Sequence, residues 1–159
     1  MVRVRLSGIL TPADWSSVRH LRRGPGQHRY LNSMEEIQNE AREDERAKPH
    51  PWAIHDADTG ALVGFTMISD NIPEPIDDDL VGPYFLWKLL IDHSVQGRGY
   101  GAATLEAVVR YLETRPGADV LYTSCSDGPG SPRGFYLAFG FIDTGRDMWG
   151  EDVLALHLT

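Results

Sequence analysis

The feature that most constrains this chain is the glycine-rich turn Gln96-Gly97-Arg98-Gly99-Tyr100-Gly101, which follows an apolar run ending at Ile91. Apolar residues then recur at helical spacing, so the segment predicts a strand, a tight turn and an amphipathic helix in succession. Free backbone N–H groups in such a turn, with the positive end of the helix dipole behind them, suit a phosphate group. Glycine tolerates positive φ and lets a phosphate approach the backbone closely. The sequence therefore predicts an anion cradle at residues 96–101.

The same turn argues against two common phosphate ligands. It has no Gly-Lys-Ser or Gly-Lys-Thr ending, so the lysine and the magnesium-binding hydroxyl of a nucleoside triphosphate loop are missing. The glycine spacing also differs from the dinucleotide fingerprint, which follows the first strand of its domain. A glycine-rich turn by itself can simply reverse the chain, so a second motif is needed to decide.

That second motif is Phe135-Tyr136-Leu137-Ala138-Phe139-Gly140-Phe141, about 35 residues further along. The two motifs resemble those of the GNAT acetyltransferase family, whose coenzyme A loop reads Gln/Arg-x-x-Gly-x-Gly/Ala and whose second signature is a tyrosine on a short helix followed by Gly-Phe. The resemblance implies an α/β (α+β) fold, the GNAT fold. This fold has a central mixed twisted sheet of about six to seven strands, four flanking helices, and a splayed pair of parallel strands that holds coenzyme A.

The predicted order of elements agrees with that fold. Apolar alternation predicts strands at 2–6, 52–55, 61–68, 84–91, 120–125, 141–143 and 153–158. Helices are predicted from Pro12, capped by Thr11, to about Gly24; from the Ser33 capping box through Arg46; after the glycine turn; and from Pro132, capped by Ser131, to Gly140. The stretch 71–83 is the longest predicted loop, rich in proline and acidic residues.

Composition limits the function classes. The chain has 159 residues, 42% hydrophobic and 24% charged, which is typical of a globular protein and predicts one domain, 1–159. The net charge of −8 argues against a nucleic-acid partner and is compatible with cationic substrates. The apolar runs are too short to span a membrane, and the N-terminus lacks a signal-peptide pattern. We therefore expect a cytoplasmic protein with neither a nucleic-acid nor a membrane partner.

Cysteine and histidine usage offers little other chemistry. The single cysteine, Cys125, cannot form an internal disulfide, which agrees with a reducing compartment. It lies in a predicted strand with no histidine nearby in sequence, which favours a packed thiol over a nucleophile. The six histidines show no paired ligand spacing, so no metal site is predicted.

The resemblance also implies a coenzyme site for acetyl-coenzyme A. The turn amides would hold the pyrophosphate, the end of the preceding strand would supply backbone groups to the pantetheine arm, and Gly130 and Ser131 would replace an asparagine that relatives often carry where this chain has Pro129. The implied residues are Leu90, Ile91, His93, Gln96, Gly97, Arg98, Gly99, Tyr100, Gly101, Gly130 and Ser131.

Tyr136 matches the family tyrosine that acts as general acid toward the coenzyme sulfur, and a phenol stays protonated at neutral pH. Tyr136 as a packed aromatic is the alternative. For the acceptor we expect Tyr30, Glu35 and Trp87 at the site, with Trp87 standing where many relatives carry an acid.

The general base stays open between Glu35, Glu36 and Asp92, although Glu35 and Glu36 also belong to a capping box. The acceptor pocket is expected between the segment 27–32 and the acidic loop 74–79. That loop can equally be a solvated surface.

The function implied is transfer of an acetyl group from acetyl-coenzyme A to a primary amine, with a small polyamine or diamine expected from similarity to bacterial polyamine acetyltransferases. Two alternatives remain: acetylation of a protein N-terminus or lysine, and a non-catalytic acyl-coenzyme A sensor. The small-molecule amine is the expected partner, and the resemblance leaves a homodimer open.

Overall fold

The computed structural model describes residues 1–158. Their strands and α-helices follow one another as β1 (Val4–Gly8), α1 (Pro12–Val18), α2 (Met34–Glu43), β2 (Pro49–Asp56), β3 (Leu62–Asp70), β4 (Tyr84–Ile91), α3 (Tyr100–Leu112), β5 (Val120–Cys125), α4 (Arg133–Phe139), β6 (Ile142–Met148) and β7 (Glu151–His157). None of the helices in this described part is both long and apolar enough to cross a membrane.

The seven strands form one mixed sheet in the order β1-β2-β3-β4-β5-β7-β6. All neighbouring strands are antiparallel except β4 and β5, which run parallel and pair only at Phe85 and Tyr122. Beyond that pair the two strands separate, leaving backbone groups on their facing edges without a strand partner. The predicted mixed sheet with a splayed parallel pair is confirmed.

A β-bulge marks the middle of β4. Met67 of β3 pairs with Lys88 and Ile68 pairs with Leu86, so Trp87 has no partner across the strands. An extra residue of this kind bends its strand and redirects neighbouring side chains. The bulge lies beside the gap between β4 and β5, where the cavity described below opens.

Helices cover both faces of the sheet. On one face, α1 and α2 bury Val18 and Ile37 against Phe65, which is fully buried. On the other, α3 and α4 bury Leu105 and Tyr136 in a separate apolar cluster. Apolar helix stripes packed on both faces explain why β4 is apolar at nearly every position, as expected for a strand covered twice.

Two predicted helix ends were wrong. Helix α1 stops at Val18, well before Gly24. The chain leaves the helical path because Arg22 bonds with the end of β4. The N–H of Arg22 donates to Asp92 and its carbonyl accepts from the N–H of His93, both at 2.8 Å. Helix α2 stops at Glu43 and a short 3-10 turn follows. For α1, long-range contacts thus override the local helical pattern.

Helix α4 also starts one residue later than predicted. It begins at Arg133, with Pro132 at the N-cap position and no side-chain cap from that residue. The Ser131 hydroxyl nevertheless accepts from the N–H of Arg133 at 3.1 Å. The Thr11 N-cap and the Ser33 capping box are both present, as predicted, and Thr11 in addition forms a capping box with Asp14.

Candidate active site

A cavity of about 600 Å³ opens where β4 and β5 separate. It lies between the glycine turn and the start of α3 on one side and helix α4 on the other. Its walls come from β4, β5, the turn, the segment after α1 and the loop before α4, and they include Gln27, Tyr30, Leu31, Trp87, Lys88, Leu89, Ile91, Gln96, Gly97, Gly99, Tyr100, Gly101, Thr123, Ser124, Cys125, Gly130, Ser131, Tyr136 and Glu151.

The glycine turn presents its backbone to this cavity. Gly97 and Gly99 have φ of +78° and +93°, a region that residues with a Cβ rarely adopt. The N–H groups of residues 96–99 donate no hydrogen bond within the described part of the chain. The thirteen-residue helix α3 begins at Tyr100 and adds its own free N-terminal N–H groups. The turn is therefore a set of unpaired donors at the positive end of a helix dipole.

Two glutamine side chains hold the turn in place. The side-chain amide of Gln96 donates to Gln27 and to the carbonyl of Ile91, both at 2.9 Å. Gln27 also accepts from the N–H of Gly24 at 2.6 Å. A Cβ on Gly24 would lie 2.5 Å from the Gln96 side chain, so any larger residue there would push this side chain away from its present position. The pair ties the segment after α1 to the turn and to the end of β4.

Tyr136 contributes to the cavity wall from α4 and is 7% exposed. Burial, helped by the nearby Cys125 thiol, raises the pKa of Tyr136 well above its ordinary value. The neighbouring Thr123 hydroxyl opposes this shift and itself donates to the carbonyl of Leu86 at 3.0 Å. The phenol is therefore protonated at neutral pH and available as a proton donor inside the cavity.

Other parts of the cavity wall are aromatic, apolar and charged. The Tyr30 hydroxyl donates to the carbonyl of Pro129 at 2.9 Å, which joins the segment after α1 to the loop before α4. Lys88 has 12% of its side chain exposed and pairs with Glu40 of α2 at 3.1 Å. Glu40 also accepts a hydrogen bond from Asn32. This cation is thus neutralised where it meets the cavity.

Comparisons with known proteins agree with this geometry. The model of the acetyltransferase (GNAT) family matches residues 15–141, most of the chain. The chain belongs to the GNAT family. Among curated proteins, a spermine/spermidine N(1)-acetyltransferase of Bacillus subtilis is 32% identical over 100 residues, which cover 62% of this chain and 65% of that relative. The chain thus spans less than two thirds of the length of that relative.

Solved structures share the GNAT fold at lower identity. An acetyltransferase from Thermus thermophilus has a TM-score of 0.67 and 21% identity, covering 98% of this chain and 97% of that one. A GNAT N-acetyltransferase from Escherichia coli, solved in complex with CoA, has a TM-score of 0.65 and 18% identity, covering 100% and 83%. These likenesses concern the fold.

Acetyl-coenzyme A is the donor typical of GNAT proteins, and the cavity fits such a molecule. Unpaired turn amides suit a pyrophosphate, and the separated edges of β4 and β5 offer backbone groups to an extended arm. The space next to Gly97 is open, since a Cβ added there would meet no atom within 4 Å. Among residues 1–158, no group of three or more His, Cys, Asp and Glu side chains is placed to hold a metal ion.

Most of the residues expected at the coenzyme and acceptor sites lie together on this cavity. Tyr100 lines the cavity at the end of the glycine turn. Its hydroxyl is buried and donates to Asp56 at 2.6 Å. The others on the cavity are Tyr30, Trp87, Ile91, Gln96, Gly97, Gly99, Gly101, Gly130, Ser131 and Tyr136.

Four expected residues lie elsewhere, and their places have clear causes. The Leu90 side chain points into the core and is 1% exposed, because alternation along β4 gives the cavity to Leu89 and Ile91; the backbone contact expected of Leu90 stays a prediction. His93 is exposed, and its N–H already donates to Arg22 at 2.8 Å. Arg98 and Glu35 are exposed on the turn and on α2, outside the cavity lining.

The acidic loop 74–79 is also absent from the cavity lining. Arg46 binds Asp77 and Asp79 at 2.9 and 3.0 Å. The expectation that this loop builds the acceptor pocket is therefore wrong. The loop lies on the surface, and its ion pairs with Arg46 could not be predicted because Arg46 is 31 and 33 residues away from these two aspartates in sequence.

Several cavity residues escaped the sequence analysis. Gln27 was expected only as part of the acceptor segment 27–32, and its bond to Gln96 beside the turn joins residues far apart in sequence. Lys88 follows the expected Trp87 on β4 and was given no site role. Thr123, Ser124 and Cys125 were predicted as a strand without a site role, although a strand that follows the turn and helix is the expected neighbour of β4. Cys125 is 3% exposed, as expected for a packed thiol, and burial raises its pKa.

Proposed function

We propose that this GNAT protein transfers an acetyl group from acetyl-coenzyme A to a primary amine. The observation that carries the proposal is the arrangement of two features on one cavity: an anion-binding turn at one end and the protonated Tyr136 phenol between the separated strands. Either feature alone is compatible with a binding protein. Together they suit acyl transfer, which needs an anchored thioester and a proton for the leaving thiolate.

In this proposal the N–H groups of residues 96–101 bind the pyrophosphate. The free edge of β4 near Leu89 and Ile91 orients the pantetheine arm. Coenzyme A supplies the activated acetyl group as a thioester. Tyr136 donates its proton to the sulfur as the carbon–sulfur bond breaks.

The acceptor we propose is a small polyamine or diamine. Support comes from the name of the Bacillus subtilis relative, a spermine/spermidine N(1)-acetyltransferase, from the net charge of −8, which attracts cations, and from two aromatic side chains at the cavity. Tyr30 and Trp87 can each offer a ring face to an ammonium group. The acidic loop 74–79 adds no support, since it lies outside the cavity lining.

The test is a thiol-release assay with acetyl-coenzyme A against polyamines, diamines, aromatic amines and peptides. We expect turnover with spermidine, spermine or putrescine. Turnover of peptides alone would show that the acceptor is a protein amine and not a polyamine. Binding of acetyl-coenzyme A without turnover of any amine would indicate a sensor.

Tyr136→Phe tests the catalytic role within the same assay. The ring stays, so acetyl-coenzyme A affinity and stability should change little, whereas the single-turnover rate should fall roughly 10²-fold. Tyr122→Phe is the matched control, because Tyr122 lies on β5 outside the cavity lining. An unchanged rate in Tyr136→Phe, with Tyr122→Phe also unchanged, would remove Tyr136 from the chemistry.

A further inference from the structure

Acetyl transfer to an alkylamine needs a group that takes a proton, because such an amine is protonated at neutral pH and has no free lone pair. A carboxylate facing the cavity is the simplest acceptor for that proton. Of the Asp and Glu side chains within residues 1–158, Glu151 is the one that lines the cavity.

The carboxylates predicted from the sequence are engaged elsewhere. Glu36 closes the capping box of α2, where its carboxylate accepts from the N–H of Ser33 at 3.0 Å. Asp92 accepts from the N–H of Arg22 at 2.8 Å and caps a short turn. Glu35 is exposed and outside the cavity lining. None of these three is among the residues that line the cavity.

Glu151 is held in position but keeps an oxygen free. It begins β7, which pairs with β5, and the Ser124 hydroxyl donates to its Oε1 at 2.8 Å. Within residues 1–158 its carboxylate forms no ion pair and no second side-chain hydrogen bond. Its Oε2 can therefore accept a proton or a hydrogen bond from a ligand in the cavity.

The charges around the cavity favour a cation at Glu151. Lys88, the cation in the lining, is neutralised by Glu40. The Glu151 charge has no such partner among the described residues, so its carboxylate places an uncompensated negative charge on the cavity wall. Burial and Cys125 are the larger causes of the raised pKa of Tyr136, and Glu151 adds to it, as expected if the two side chains share one wall.

We propose that Glu151 is a catalytic residue that binds the reacting ammonium group and takes its proton; this rests on the proposed acetyl transfer. One N–H proton passes to the Glu151 carboxylate and frees the nitrogen lone pair. The carbon–nitrogen bond then forms, the carbon–sulfur bond breaks, and Tyr136 gives its proton to the sulfur. The second nitrogen proton restores Tyr136, and Glu151 releases its proton to water, so each turnover yields one proton.

The test compares Glu151→Gln with Asp152→Asn. The glutamine keeps the shape of the side chain and can still accept from Ser124, but it cannot take a proton. Asp152 carries the same charge one residue away, pairs with Arg133 at 3.3 Å and does not line the cavity. With the amine that the wild-type protein acetylates best, kcat/KM should fall roughly 10²-fold in Glu151→Gln and stay near wild type in Asp152→Asn.

Two readouts separate proton transfer from packing. The deficit of Glu151→Gln should shrink as the pH rises toward the pKa of the acceptor, because free amine then comes from solution. It should also shrink for a fluorinated analogue of the acceptor that is largely neutral at pH 7. The titratable and charged groups on or beside this part of the cavity wall are Cys125 of β5, Tyr136 and Arg133 of α4, Asp152 of β7 and Lys88 of β4. Glu151→Gln keeps all of them, and Asp152→Asn changes only Asp152 itself.

Calorimetry with acetyl-coenzyme A checks that each variant is folded and binds the donor. If Glu151→Gln does not fold, Ser124→Ala takes its place: it leaves the carboxylate but removes its anchor, and kcat/KM should fall several-fold. A wild-type rate in the folded Glu151→Gln variant, or in its Ser124→Ala replacement, would overturn the role of Glu151 while leaving acetyl transfer intact. A deficit that is the same at every pH and for the fluorinated analogue would likewise overturn it. Absence of turnover in the wild-type protein would instead refute the proposed function.

Discussion

The Gln27–Gln96 pair allows a quantitative test of how the glycine turn is held. Gln96→Ala removes two hydrogen bonds, to Gln27 and to the carbonyl of Ile91. Gln27→Ala also removes two, from Gly24 and from Gln96. The double variant removes three, because one bond is common to both single variants.

At about 1 kcal/mol of net stability per hydrogen bond, each single variant should lose about 2 kcal/mol and the double variant about 3 kcal/mol. The coupling energy, the sum of the single losses minus the double loss, is therefore about 1 kcal/mol. Each single change should lower Tm by roughly 4–8 °C for a chain of this size.

Urea unfolding followed by circular dichroism measures these free energies, and unchanged m values would show that the unfolded states are comparable. Gln38 provides the control cycle, since it bonds to Arg19 and makes no contact with the pair. Gln38→Ala and Gln96→Ala should be additive within about 0.5 kcal/mol. Additivity of the Gln27 and Gln96 variants to the same precision would contradict a direct bond between the two side chains.

Two further predictions concern the sheet. Gly64→Ala should lower the free energy of unfolding, measured in urea, by about 1–3 kcal/mol, because the added Cβ would lie 2.3 Å from the carbonyl oxygen of Leu90. The control is Gly8→Ala, where the added Cβ would meet no atom within 4 Å. It should change the free energy of unfolding by less than about 0.5 kcal/mol. Burial tends to raise the pKa of Asp70, but hydrogen bonds from Tyr111, His50 and Arg115 bring it below its ordinary value. A carboxyl with a lowered pKa stabilises the fold above its unfolded pKa, about 3.9, and this stabilisation is lost as the pH falls through the folded pKa. Asp70→Asn should therefore be about 2 kcal/mol less stable than the wild-type protein at pH 7, and this difference in stability should narrow below pH 4. A stability difference that stays constant from pH 7 to pH 2 would argue against a lowered pKa of Asp70.

The elements whose signals are local were predictable from the sequence. The capping box at Ser33 and the glycine turn were read correctly because each depends on residues within a few positions of one another. The end of α1 was not, because Arg22 leaves the helix for partners 70 residues away in sequence. Glu151 was missed for the same reason: only the pairing of β7 with β5 brings it beside Ser124.

The segment after α1 connects the glycine turn to the loop before α4, which carries Pro129. Gln27 bonds to Gln96 beside the turn, while Tyr30 donates to the carbonyl of Pro129 in the loop before α4. A proline has no N–H to offer, but its carbonyl still accepts, and that is the group that Tyr30 uses. The loop is thus held by the Tyr30 side chain. Because one short segment contacts both the turn and this loop, a change in its position would displace both of them together.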